Sequence, residues 1–108
     1  MADSLTNAEL LVMSAILHLE NDTYGVPIVE ELARHKHRIS VATMYVVLSR
    51  LESRGLVGSA MGEATPERGG KAKRYFRVTA KGLRQVRALQ QTFVGLWRGV
   101  PQLQGVTT

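Results

Sequence analysis

The apolar residues keep a helical spacing up to Arg54, change to a strand-like pattern between Leu56 and Val78, and return to helical spacing after Thr79. Leu10, Met13, Ile16 and Leu17 recur three and four residues apart, and Leu11, Val12, Ala15 and Leu19 widen that stripe. Ile28 and Leu32, flanked by Val29, repeat the spacing, as do Met44, Val47, Leu48 and Leu51. Each set lines one side of a helix. Leu56, Val57 and Ser59 to Met61 then read as a short strand, and Tyr75 to Val78 as its return. The connection, 62–73, is rich in Gly, Pro and charge. Three helices, a hairpin and one more helix leave few ways to bury these faces in a chain of 108 residues.

Local signals mark the ends of the elements. Thr6 and Glu9 have the spacing of a capping box, and Asn21-Asp22 ends the first helix after about Leu19. A second helix is predicted over 24–35, with Pro27 in its first turn, where a missing N–H is harmless. Glu30 and Glu31 sit early in it, and Arg34, His35 and Lys36 late, in keeping with the helix dipole. Ser40 caps a third helix over 41–54, and Gly55 supplies the left-handed stop. Thr79 caps a last helix over 80–98. There Leu83, Val86, Gln90, Phe93 and Trp97 form one stripe, and Val86, Leu89, Phe93, Leu96 and Val100 the next. The apolar sector is wider than packing on one side requires.

This order predicts a mostly α winged helix-turn-helix: three helices plus a β-hairpin wing, followed by a C-terminal dimerisation helix. The expected organisation is a DNA-binding domain at 1–79, the dimerisation helix at 80–100, and a disordered tail at 101–108.

Charge points to a polyanionic partner. The net charge is +5, and no Asp or Glu follows Glu67, whereas Arg68, Lys71, Lys73, Arg74, Arg77, Lys81, Arg84, Arg87 and Arg98 do. The absence of cysteine excludes disulfides, thiolate metal sites and a cysteine nucleophile, and agrees with a cytoplasmic location. No signal peptide is visible, and the run Leu10 to Leu17 is too short to span a bilayer, so no membrane partner is expected.

The third helix has the make-up of a recognition helix: an apolar back, with small or polar residues at its leading end. Ser40, Ala42, Thr43 and Tyr45 lie on that end, and Ser49 and Arg50 follow. The wing segment adds Arg68, Gly69, Gly70, Lys71, Lys73 and Arg74, in which the two glycines allow close approach to a phosphate. Taken singly, these residues also have structural readings: Ser40 as a cap alone, Tyr45 as partial core, Arg50 as a partner of Glu52.

These residues resemble the PadR family of transcription regulators. The resemblance rests on Leu5-Thr6 with Glu9, on Tyr24-Gly25, and on the run from Met44 through Tyr45, Leu48, Arg50, Leu51, Glu52, Gly55 and Leu56 to Val57. It continues at Arg68-Gly69-Gly70-Lys71 and from Arg74 through Tyr75-Phe76-Arg77-Val78-Thr79 to Gly82. It implies a homodimer on an inverted-repeat promoter site, usually as a repressor. It also implies a single C-terminal helix packed on the partner subunit, as in the short subgroup. The expected dimer contacts are Leu83, Val86, Leu89, Gln90, Phe93, Leu96 and Trp97, with Leu10, Leu11 and Met13 from the partner's first helix. Ala42 stands where many relatives have Gly, so the operator sequence does not carry over.

Three other readings compete. Phe93 and Trp97 could stack on a flat, hydrophobic small-molecule effector, with DNA binding as the output. An RNA-binding module would need aromatics on an open face, and here they are scattered. Enzyme chemistry lacks a constellation: His18, His35 and His37 have no metal-ligand spacing, and the carboxylates fall on solvated faces or near caps. No catalytic residue, cofactor or metal is therefore assigned.

Overall fold

The computed structural model describes residues 4–62 and 72–104. Three helices, α1 (Asn7–His18), α2 (Gly25–Arg34) and α3 (Val41–Ser53), precede an antiparallel hairpin, β1 (Val57–Met61) and β2 (Arg74–Val78). Helix α4 (Ala80–Trp97) follows, then a 3-10 turn at Pro101–Leu103.

The caps act as the sequence predicts. Thr6 Oγ1 accepts from Glu9 N (3.1 Å), and Glu9 Oε1 accepts in return from Thr6 N (2.8 Å). Ser40 Oγ accepts from Thr43 N (3.0 Å), and Thr79 Oγ1 from Gly82 N (3.1 Å). Gly55 stops α3 at φ 74°. Glu20, Asn21 and Asp22 all take positive φ after α1. The Asn21 side chain supports that turn by accepting from Val78 N (2.9 Å).

One core joins the first three helices to the hairpin. It holds Val12, Met13, Ala15 and Ile16 of α1, Ile28 and Leu32 of α2, and Met44, Val47, Leu48 and Leu51 of α3. Leu56, Val57, Phe76 and Val78 close it from the wing. The hairpin pairs Val57 with Val78 and Met61 with Arg74, and Thr23 bridges Phe76 on the other edge of β2.

Three expectations need correction. Met13 is fully buried in the core of its own chain and does not reach a partner, because α1 packs on several sides at once. The carboxylates are not confined to solvated faces and caps: Glu31, in the body of α2, is buried and paired with Arg34 (2.6 Å), whereas Glu9 lies in its cap as expected and also meets Arg54 (3.1 Å). The tail expected to be disordered at 101–108 opens with a short 3-10 turn, started by Pro101 and closed by Gln104 N to Pro101 O (3.2 Å), and 105–108 lie outside the described residues.

Candidate nucleic-acid interface

Helix α3 has two sides of opposite character. Met44, Val47, Leu48 and Leu51 are buried, whereas Ser40, Ala42, Thr43, Tyr45, Val46, Ser49 and Arg50 are exposed. No acidic side chain occupies its first turn, so the helix itself places no negative charge at its positive end.

The exposed residues differ in how firmly they are held. The Ser40 hydroxyl donates to Thr43 Oγ1 (2.9 Å) while capping the helix, so Ser40 fixes the start of α3 and orients Thr43. The Tyr45 ring tilts against Phe76 at 6.4 Å, and its hydroxyl lies against the first turn of α2, where a Cβ on Gly25 would come within 2.5 Å of it. Gly25 is therefore a requirement of close approach. Arg50 has no side-chain partner among the described residues, and Glu52, its candidate partner, accepts from Ser59 instead (2.5 Å).

The wing is tied to α3 through polar links. Arg74 Nη1 donates to Ser59 Oγ (2.9 Å), which donates to Glu52 on α3. Lys73 Nζ lies 4.9 Å from the centre of the Tyr24 ring, and Tyr24 meets Tyr75 edge-on at 5.6 Å. Arg74 and Lys73 are exposed but partnered, and no local spacing in the sequence signals either pairing. Arg68, Gly69, Gly70 and Lys71 lie outside the described residues.

A second surface runs between α1 and α4. Leu10, Leu17, Leu83, Val86, Phe93 and Trp97 help to line a groove of about 500 Å³, with Leu89 and Gln90 also on its wall. Phe93 and Trp97 stack at 5.1 Å and 25°. Leu96 is 66% exposed and Trp97 52% exposed. Leu11 faces away from this groove, into a separate cleft with His18 and Glu31.

The sequence matches the model of the Transcriptional regulator PadR-like family over residues 14–88. It is 38% identical over 69 residues to Transcriptional regulator Rv3488 of Mycobacterium tuberculosis (strain ATCC 25618 / H37Rv), covering 62% of this chain and 61% of that relative. The chain thus spans about three fifths of the length of the curated relatives it matches. Its structure is similar to that of a PadR family transcriptional regulator from Eggerthella lenta DSM 2243, with TM-score 0.68, 34% identity, and coverage of 90% of this chain and 83% of that one. A PadR family transcription regulator from Clostridium difficile R20291 shares the fold at TM-score 0.71 and 22% identity, covering 84% of this chain and 91% of the other.

Proposed function

Because the chain belongs to the PadR-like family of transcriptional regulators, we propose that it represses transcription by binding an inverted-repeat DNA site as a homodimer. The observation that carries this reading is the two-sided α3: four buried apolar residues hold it on the domain, and its opposite side is presented to solvent behind a fixed cap. In this reading the leading end of α3 enters the major groove, where Ala42, Thr43 and Ser49 meet base edges and Arg50 the backbone. Tyr45 lines the rim. Ser40 acts through Thr43. The wing, with Lys73, Arg74 and the segment Arg68-Gly69-Gly70-Lys71, lies along phosphates. The exposed apolar sector of α4, together with Leu10, pairs with its copy. Two-fold symmetry then sets the recognition helices about 34 Å apart, one turn of DNA.

Fluorescence anisotropy on the duplex upstream of the chain's own gene, beside a scrambled duplex, tests this at several salt concentrations. Tighter binding to the native duplex with a steep salt slope supports it. Absence of binding to either duplex at low salt contradicts it.

A second reading is favoured by the stacked Phe93 and Trp97 on the groove wall. A flat, hydrophobic small molecule could stack on the same pair and couple its binding to DNA release. Quenching of Trp97, the chain's one tryptophan, by planar aromatic compounds, with a matching loss of DNA affinity, checks it.

A further inference from the structure

We propose that His18, Glu31 and His35 form a site for one divalent transition-metal ion of the Zn²⁺ class, bridging α1 and α2. The sequence offers little hint of it, because His18 lies in a different helix from the other two. The fold brings their ligand atoms within 4.8 Å of one another. His18 Nε2 lies 3.3 Å from Glu31 Oε2, and His35 Nε2 lies 2.9 Å from the same oxygen. Around a zinc ion with bonds of about 2.0–2.2 Å, neighbouring ligands sit roughly 3–3.5 Å apart, so the three groups need little rearrangement.

The surroundings favour a cation. Arg34 donates to Glu31 Oε1 from Nη2 (2.6 Å) and Nε (3.2 Å), which orients the carboxylate and leaves Oε2 turned to the histidines. His18 is the last residue of α1 and His35 the C-cap of α2, so the negative ends of two helix dipoles meet there.

Access and chemistry agree with this. The side chain of Glu31 is 6% exposed, whereas those of both histidines are 67% exposed and their rings meet edge-on at 5.8 Å. They stand at the mouth of a cleft of about 280 Å³ floored by Leu11, Ala15 and Leu32. An ion can enter there and keep water on its remaining positions, which makes the site exchangeable rather than closed. Two imidazoles with one carboxylate suit zinc, nickel, cobalt or copper over magnesium or calcium. The ion would clamp α2, the first helix of the helix-turn-helix, to α1.

Isothermal titration of the metal-free full chain with ZnCl₂ tests the site independently of DNA. The expected result is one ion per chain, with affinity lowered about tenfold or more in His18→Gln and in His35→Gln, and unchanged in His37→Gln. Zinc at a hundredfold excess over Kd should raise Tm on the order of 10 °C. In the unmutated chain, the imidazole NMR signals of His18 and His35 should shift with zinc while that of His37 stays, which reads the site without any variant. Absence of saturable binding, or binding retained at full strength in both variants, overturns the proposal.

Discussion

Helix α3 places Met44, Val47, Leu48 and Leu51 in the core, whereas the longer α4 places no apolar side chain there and only lays Val86 partly against it. Both helices carry the same three-and-four spacing of apolar residues. In α3 the chain itself satisfies that face, so the opposite face is free to be polar and to meet a ligand. In α4 the apolar sector remains on the surface after the chain has folded, with Leu96 and Trp97 more than half exposed. Water exposure of that much apolar surface is unfavourable by roughly 25 cal/mol for each Å², which a second copy of the same helix would relieve in the proposed dimer. One helix thus has its apolar face covered by its own chain, and the other keeps most of its apolar face on the surface.

The junction between the two is narrow and specific. Thr79 Oγ1 donates to Gly55 O (2.7 Å), and Lys81 Nζ to Arg54 O (3.1 Å), which ties the start of α4 to the end of α3. Gly82 packs so closely on the Leu56 carbonyl that a Cβ would overlap it, with Met13 Cε and Val78 Cγ1 each 2.9 Å away.

Phe93→Glu should have the largest effect. Placing an unpaired charge in the proposed interface should weaken the dimer by about 3 kcal/mol or more, over a hundredfold. Sedimentation should then find monomers while circular dichroism keeps its helical signal, since Phe93 lies outside the core. A variant that still dimerises would place the interface elsewhere.

Gly82→Ala attacks the junction instead. The overlap with backbone cannot be relieved by a side-chain rotation, so stability should fall by about 1–3 kcal/mol. Thermal unfolding should show Tm lower by roughly 4–8 °C for each kcal/mol. An unchanged Tm would mean that α4 can lift from the domain without loss.

Arg50→Ala should leave Tm unchanged, because the side chain is exposed and unpaired among the described residues. Its effect should appear in the salt dependence of DNA binding, where the slope falls by about one for each phosphate that the protein no longer neutralises. An unchanged slope would remove Arg50 from the interface.

The smallest effect concerns Glu31, whose folded pKa is lowered from 4.5 chiefly by Arg34. A lowered carboxyl pKa contributes stability above the unfolded value, and that contribution is lost as pH falls through the folded value. Tm in metal-free buffer should therefore decline below about pH 4.5, and Glu31→Gln should decline less steeply over that window. Parallel profiles would show that the carboxylate adds nothing to the helical half.

What the sequence reveals of all this divides by range. The caps at Thr6, Ser40 and Thr79 and the stop at Gly55 depend on atoms within a few residues, and each is visible as a residue type at a fixed offset. The side of α3 that faces inward follows from spacing alone. Spacing misplaces Met13 at the interface because α1 packs against α2, α3, β2 and α4 together, so a broad apolar sector does not say which part is left over. The pairings of Glu9 with Arg54, Arg74 with Ser59, and His18 with Glu31 join residues that only the helix crossings and the hairpin register bring together. No local spacing encodes them.

In the proposed assembly, α4 joins two copies so that two α3 helices meet one DNA site. Sedimentation velocity of the labelled upstream duplex with saturating protein tests it most directly. The expected result is one complex containing two chains per duplex, absent with a scrambled duplex and reduced or lost with Phe93→Glu. A complex of one chain per duplex, or one equally stable with Phe93→Glu, would contradict it.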